Sequence, residues 1–110
     1  TYVQESPGVN KGFAYARGKN PTREALQENL AALENGKHCL CFSSGVAAID
    51  AVLKMLRPGD EVISGNDIYG GSYRLFTQIF EPFGIKFHFI DLNNAKNIIK
   101  NVNRWTTIVK

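Results

Sequence analysis

Residues Cys41 to Leu56 read CFSSGVAAIDAVLKML, and this stretch decides the fold. A short apolar run stops at Ser43-Ser44-Gly45, and the apolar residues that follow recur at helical spacing. The pattern predicts a strand, a tight turn and a helix. Such a turn directs several backbone N–H groups and the positive end of the helix dipole at one point, which suits a phosphate. The sequence therefore predicts an anion site beside Gly45.

Composition limits the size and the partners of the protein. With 110 residues, of which 44% are hydrophobic, the chain can bury one small core. The 13 basic and 10 acidic residues give a net charge of only +3, and the basic residues are scattered along the chain. They form no stripe of the kind that binds nucleic acid or a membrane surface. No apolar run approaches the roughly 20 residues of a membrane span, and no signal peptide is predicted, so a cytoplasmic location is expected.

On both sides of the central stretch, the sequence predicts alternating helices and strands. Residues 1–19 have no clear period and are predicted as an extended arm. The first predicted helix is capped by Asn20, packs by one apolar face and ends at Gly36. The predicted strands are His38–Phe42, Glu61–Ser64, Ile85–Ile90 and Thr106–Val109. Between them lie a helix from Gly45 to Pro58, a glycine-rich loop at Gly65–Gly71 followed by a helix marked by Leu75–Phe80 and closed by Pro82, and a helix capped by Asn93 that runs to Val102.

Strands that alternate with helices indicate an α/β fold, in which a mostly parallel sheet is covered by helices on both faces. The last predicted strand, Thr106–Val109, has no closing helix after it. We therefore predict that the chain is the front part of a larger α/β domain. In this interpretation residues 1–19 form the arm, and residues 20–110 form the first part of the domain.

The cysteine and histidine residues do not form a recognisable metal or redox motif. Cys39 and Cys41 are two residues apart on a predicted strand, a spacing that fits neither CxxC chemistry nor a strain-free disulfide. They are predicted to be buried, reduced and inert. His38 and His88 also fall on predicted strands and are interpreted as core or surface residues.

Five short runs occur in order over nearly the whole chain, and together they resemble one family. They are Tyr15-Ala16-Arg17, Asn20-Pro21-Thr22-Arg23, Ser43-Ser44-Gly45-Val46-Ala47-Ala48, Pro58-Gly59-Asp60 and Tyr69-Gly70-Gly71. This set resembles the Cys/Met-metabolism family of enzymes that depend on pyridoxal 5′-phosphate (PLP), most closely the cystathionine γ-synthase and γ-lyase type.

The resemblance implies the large domain of a fold type I transferase, similar to that of aspartate aminotransferase, with PLP as the cofactor. It further implies an enzyme that makes or breaks carbon–sulfur bonds of cystathionine or homoserine-derived substrates. Methionine γ-lyase, cystathionine β-lyase and O-acylhomoserine sulfhydrylase share nearly all of these runs and remain open alternatives.

The resemblance also assigns residues to the site. Gly45 and Val46 occupy positions whose backbone N–H groups bind the cofactor phosphate, and the hydroxyl of Ser44 either joins them or only caps the helix. Tyr69 matches the tyrosine that lies over the pyridine ring and exchanges protons with the substrate. Tyr15 and Arg17 match a pair that reaches into the site of a neighbouring subunit and holds the phosphate there.

That sharing implies a homo-oligomer, a tetramer built from dimers with shared active sites. Asn20 and Arg23 belong to the signature of the family, but we interpret Asn20 as the helix cap and Arg23 as a structural ion-pairing residue.

The serious departure of the chain from the family pattern is an absence. PLP chemistry needs a lysine that bonds the cofactor, and no lysine of this chain lies in the serine- and threonine-rich motif that would carry it. The complete protein is therefore predicted to be an enzyme, and these 110 residues alone to be inactive. Two other classes remain: a nucleotide-binding α/β module, although neither GxGxxG nor GxxxxGK[ST] occurs, and a non-catalytic fragment that serves oligomer assembly.

Overall fold

Three short strands form a parallel sheet in the second half of the chain. The computed structural model describes residues 1–101 and 106–109, of which 101 and 106–109 are described by their backbone alone. Strand β1 (Glu61–Gly65) lies in the middle of the sheet, with β2 (Lys86–Ile90) on one side and β3 (Thr106–Val109) on the other, all parallel. The middle of β1 is fully buried, as expected of a strand inside a parallel sheet.

Helices separate these strands along the chain. In the described residues the helices are α1 (Pro21–Leu33), α2 (Gly45–Leu53), α3 (Gly70–Leu75) and α4 (Ala95–Asn101). A π-helical turn at Phe76–Phe80 continues α3, and the sequence did not predict it. The order β1, α3, β2, α4, β3 confirms the predicted α/β fold with parallel strands.

The core of this sheet layer is aromatic and aliphatic. Phe76 of the π-helical turn stacks on Phe87 of β2, with ring centroids 4.6 Å apart and an interplanar angle of 9°. Phe80, Leu53 and Val62 complete the buried cluster together with Ile85. Because Leu53 of α2 and Phe76 and Phe80 of the π-helical turn belong to this cluster, the end of α2 packs against the sheet layer.

The chain divides into two compact units, Thr1–Phe42 and the residues from Ser43 onward. In the first unit, the opening residues fold back on themselves, since Tyr2 N–H donates to the Ala14 carbonyl at 3.0 Å and Ser6 forms a bridge with Val9. The prediction of an extended stretch over residues 1–19 is therefore wrong, because local turns pair its backbone groups.

Helix α1 begins as predicted and differs at its end. Asn20 Oδ1 accepts hydrogen bonds from Thr22 N–H at 2.9 Å and Arg23 N–H at 3.2 Å, which confirms the cap. The left-handed residue that follows the helix is Asn35, with φ 53°, and not Gly36. No residue of α1 is buried, so the predicted packing of its leucine stripe does not occur in the described structure.

The predicted strand at His38–Phe42 is wrong. This segment pairs with no other strand among the described residues, and its Cys39 carbonyl instead accepts a hydrogen bond from Gln27 Nε2 at 2.8 Å. Leu40 and Phe42 are exposed. The apolar composition of a strand is present here, but a strand also needs a neighbouring strand to satisfy its backbone groups.

Cys39 and Cys41 are free thiols, as predicted, but both are half-buried and not buried. His38 is exposed. His88 lies half-buried on β2, where its Nε2 is 2.7 Å from Oε2 of Glu61 on β1. Each of these side chains belongs to one of the two units and forms no metal cluster, since no group of three metal-ligating side chains is present within the described residues.

Several element ends also differ from the prediction. Helix α2 ends at Leu53, well before Pro58, and α3 begins at Gly70, before the predicted start at Leu75. Asn94 and not Asn93 caps α4, because Asn94 Oδ1 accepts from Lys96 N–H at 3.0 Å. The predicted helix end at Val102 lies outside the described residues.

Candidate functional site

The turn between Ser44 and Ala48 leaves two backbone donors free. Ser44 has extended backbone angles, and its Oγ accepts from Ala47 N–H at 3.1 Å, while its carbonyl accepts from Ala48 N–H at 3.1 Å. The first turn of a helix has four N–H groups without intrahelical partners. In the part of the chain that the structure describes, the N–H groups of Gly45 and Val46 have no hydrogen-bond acceptor.

The surroundings of these two amides favour a negative charge. Helix α2 has nine residues and carries no acidic residue in its first turn. Its dipole places partial positive charge at Gly45. Gly45 is exposed, and a β-carbon built on it meets no atom within 4 Å. Open space therefore adjoins the two free N–H groups.

An open cavity of ≈ 410 Å³ lies at this end of α2. Helix α2 lines one side of it, and the connection from β1 into α3 lines the other. This volume is within the range of about 300–1,000 Å³ that is typical of small-molecule sites. Its lining residues are Ser44, Gly45, Val46, Ile49, Tyr69 and Ser72.

Tyr69 stands at the start of α3 with its backbone fixed and its side chain available. The Tyr69 carbonyl accepts from Ser72 N–H at 2.9 Å and from Tyr73 N–H at 3.1 Å. Its side chain is 72% exposed, and it has no hydrogen bond or aromatic partner among the described residues. Both the ring and the phenol oxygen are therefore free to contact a ligand in the cavity.

Four of the six predicted site residues thus line one cavity, namely Ser44, Gly45, Val46 and Tyr69. Ile49 and Ser72 also line this cavity, and neither was predicted as a site residue. The sequence spacing of these two residues could have identified them, because Ile49 is four residues after Gly45 and Ser72 is three residues after Tyr69. Residues at these separations lie on one face of a helix.

The other two predicted residues, Tyr15 and Arg17, lie in the first unit. The Arg17 guanidinium is 5.1 Å from the centre of the Tyr15 ring, a cation–π arrangement. Both side chains are exposed, and the Tyr15 carbonyl accepts from Gly18 N–H and Lys19 N–H at 3.0 Å each. A local turn therefore presents the two side chains together.

Arg17 also lines a cavity of ≈ 420 Å³ within the first unit, next to Arg23. Arg23 Nη2 donates to the Gly18 carbonyl at 2.7 Å. Arg23 therefore binds a backbone carbonyl and, within the described residues, does not form the predicted ion pair. Lys19 is the residue here that pairs with a carboxylate, that of Glu24 at 3.7 Å.

Comparison with known proteins gives a consistent family. Residues 1–109 match the family described as Cys/Met metabolism PLP-dependent enzyme. The chain is 50% identical over 109 residues to a protein named probable cystathionine gamma-synthase from Herpetosiphon aurantiacus, covering 99% of this chain and 34% of that protein. It is 42% identical over 110 residues to cystathionine beta-lyase from Coxiella burnetii, covering 99% of this chain and 28% of that protein.

A solved structure agrees with these matches. The crystal structure of cystathionine gamma-lyase from Lactobacillus plantarum complexed with L-serine aligns with a TM-score of 0.83 at 36% identity, covering 98% of this chain and 28% of that chain. The present chain therefore spans about a third or less of the length of the proteins that it matches. Among the helices of the described residues, none combines the length and the apolar character needed to cross a bilayer.

Proposed function

This chain belongs to the Cys/Met metabolism family of PLP-dependent enzymes, and on that premise we propose that it supplies part of the cofactor site of a transsulfuration enzyme. The enzyme makes or breaks carbon–sulfur bonds of cystathionine or homoserine-derived substrates, as a cystathionine γ-synthase or γ-lyase. One observation carries the proposal: two unpaired amides at the start of α2 and the side chain of Tyr69 line the same cavity.

The residues of this cavity fit the cofactor. Gly45 N–H and Val46 N–H would donate hydrogen bonds to the phosphate of PLP, and the dipole of α2 would also favour its negative charge. Ser44 Oγ already accepts from Ala47 N–H, but a hydroxyl retains its own proton and can donate it to the phosphate. The ring of Tyr69 would pack over the pyridine ring of PLP.

When bound, PLP supplies an electron sink for the charge that develops at the substrate α-carbon. The residues of this chain orient that chemistry. Gly45 and Val46 fix the phosphate end, and Tyr69 shields one face of the ring from water and holds or moves a proton at its Oη. The lysine that bonds the cofactor is assigned to a part of the complete protein outside these residues, as is the C-terminal substrate domain.

The proposal includes a second subunit and a location. Residues 1–19 form an arm that contacts a neighbouring subunit, where Tyr15 and Arg17 bind the phosphate of its PLP. A guanidinium grips a phosphate with two parallel hydrogen bonds, which a lysine cannot do. The oligomer is a tetramer built from dimers that share active sites, and it is located in the cytoplasm. Its support is the exposed Tyr15–Arg17 pair and the family membership.

The residues that we propose to form the cofactor site are compatible with γ-synthase, γ-lyase and the related activities. Named relatives at 42–50% identity include both a γ-synthase and a β-lyase. Methionine γ-lyase and O-acylhomoserine sulfhydrylase remain alternatives of the same site chemistry.

The full-length gene product tests the function directly. We expect it to bind PLP with a visible absorption band of the bound cofactor and then to release a keto acid from cystathionine. ATP serves as the competitor, because a helix N-terminus also suits nucleotides. A protein that binds ATP at this turn and takes up no PLP would contradict the proposal and favour the nucleotide-binding module.

Replacing Arg17 tests the shared site. We expect Arg17→Ala in the full-length protein to weaken PLP retention about 10- to 150-fold, because a charge-assisted hydrogen bond contributes about 1.5–3 kcal/mol. Arg17→Lys should restore only part of the loss. Equilibrium dialysis measures the dissociation constant.

The matched control is Lys11→Ala, which removes the same charge from an exposed side chain of the same unit. Gel filtration is run in parallel. An active enzyme that is strictly monomeric, or equal PLP retention by the Arg17 and Lys11 variants, would remove Arg17 from the site.

A further inference from the structure

The ring of Tyr69 lies directly against Gly71, two residues further along α3. We infer that Gly71 is a positioning residue, whose missing side chain allows the Tyr69 ring to occupy its place beside the cavity. The inference rests on the proposed function of Tyr69 as the residue that covers the cofactor ring. It adds a residue that contacts neither cofactor nor substrate and acts through Tyr69.

The contact is specific to one edge of the ring. A β-carbon on Gly71 would collide with Tyr69 Cε1, and it would lie 3.1 Å from Cδ1 and 3.1 Å from Cζ. Ordinary contacts of a β-carbon begin at 3.4 Å. The ring in its present position therefore excludes every residue but glycine at position 71.

Backbone conformation does not explain this glycine. Gly71 lies in the first turn of α3 and has no positive φ. Within the described part of the chain, the residues with positive φ are Gly8, Gly12, Gly59, Gly84 and Asn35. Glycine lowers helix stability relative to alanine. Helix propensity thus disfavours a glycine at position 71. The presence of glycine there is explained by the space that the Tyr69 ring occupies.

Gly70 provides the matched comparison. It is the first residue of α3, it also lacks a positive φ, and a β-carbon built on it meets no atom within 4 Å. Two adjacent glycines in the same helical turn therefore differ in one property, which is the contact with the Tyr69 ring. Gly70 does not line the cavity.

The strain of a methyl group at position 71 can be relieved by moving the ring. The Tyr69 carbonyl is held by two hydrogen bonds from the first turn of α3, so its backbone is fixed. Its side chain is largely exposed, so the ring can rotate into solvent. Gly71→Ala should therefore fold normally and hold the Tyr69 ring away from its present position.

The experiment compares Gly70→Ala, Gly71→Ala, Tyr69→Ala and the double variant Tyr69→Ala/Gly71→Ala in the full-length protein. Equilibrium dialysis measures the PLP dissociation constant of each. We expect Gly71→Ala to raise this dissociation constant about tenfold, because the loss of stacking between a flat ring and an aromatic side chain weakens binding by about this factor. Gly70→Ala should raise it less than twofold. In the Tyr69→Ala background, Gly71→Ala should have no effect, because the colliding ring is gone.

A second measurement does not involve the cofactor. In PLP-free protein, the NMR signals of the Tyr69 ring protons should shift in Gly71→Ala and stay unchanged in Gly70→Ala. Equal dissociation constants and equal ring signals for the two alanine variants would overturn the role of Gly71. A loss from Gly71→Ala that persists without the Tyr69 ring would overturn it as well, because helix propensity alone would then explain the loss.

The proposed function and the role of Gly71 can each be contradicted separately. If the unsubstituted protein binds no PLP, the proposed function fails, and the role of Gly71 at a cofactor fails with it. If the unsubstituted protein binds PLP and the two glycine variants agree, only the inference about Gly71 fails.

Discussion

Gly45→Asp should lower the affinity of the full-length protein for PLP at least 100-fold. The new carboxylate would stand at the first residue of α2, where the phosphate is proposed to bind. Two unit charges 4 Å apart repel by about 4 kcal/mol at an effective dielectric constant of 20. Screening by solvent reduces this value, so ~2.7 kcal/mol, or about 100-fold, is the expected minimum. Equilibrium dialysis measures the affinity.

The same substitution should leave folding intact. Gly45 has no positive φ, and a β-carbon there meets no atom within 4 Å. An acidic residue in the first turn of a helix also stabilises it by about 0.3–1 kcal/mol. Thermal unfolding should therefore occur at or above the temperature of the unsubstituted protein.

Gly45→Asn is the matched control, because it adds a side chain of the same size without the charge. It should lose much less affinity than Gly45→Asp. If Gly45→Asp unfolds normally and retains PLP as well as Gly45→Asn does, the phosphate does not bind at the start of α2, and the proposed site is wrong.

The parts of the fold that the sequence predicted are those that short-range interactions determine. The cap at Asn20 and the abrupt start of α2 at Gly45 each depend on a side-chain acceptor and the N–H groups two or three residues later. The strands β1 and β2 were also predicted to within one residue. In β1 the residues from Val62 to Ser64 are buried, as expected of a strand covered on both faces, and in β2 Phe87 is buried.

The failed predictions concern segments whose state depends on a distant partner. His38–Phe42 has the composition of a strand, yet it pairs with no strand among the described residues. Leu33 of α1 is 71% exposed, although it continues a regular apolar stripe. An apolar composition indicates that a segment can be buried. It does not indicate whether another part of the protein provides a surface that covers the segment.

The start of α3 shows a different kind of error. Gly70 and Gly71 were assigned to a loop, because paired glycines usually interrupt regular structure. In the structure they open a helix, and Gly71 provides the space that the Tyr69 ring occupies. Glycine is required at position 71 because the Tyr69 side chain contacts the backbone there. Local helix or turn propensity does not reveal such a contact.

The site was predictable in part for the same reason. A helix that begins abruptly after Ser44 predicts free N–H groups in its first turn, and Tyr69 lines the same cavity as these groups. The identity of the anion came from the resemblance, since a turn of this kind suits any phosphate. The roles of Tyr15 and Arg17 stay predictions, because they concern a second subunit.

Tyr69→Phe should lower the turnover of cystathionine by the full-length enzyme about 10²- to 10⁴-fold while changing PLP affinity less than twofold. Phenylalanine keeps the ring that we propose to pack over the cofactor and loses the Oη that we propose to exchange a proton with the substrate. General acid–base catalysis contributes a factor of this size. Steady-state kinetics and equilibrium dialysis measure the two quantities.

Tyr73→Phe is the matched control, because it removes a phenol oxygen from the same helix. Tyr73 is 50% exposed and packs its ring on Phe89 at 5.2 Å, outside the residues that line the cavity. It should retain full turnover. Tyr69→Ala should lose both turnover and PLP affinity, since the ring is then absent as well. If Tyr69→Phe and Tyr73→Phe turn over cystathionine equally, Tyr69 moves no proton, and its remaining role is to cover the ring.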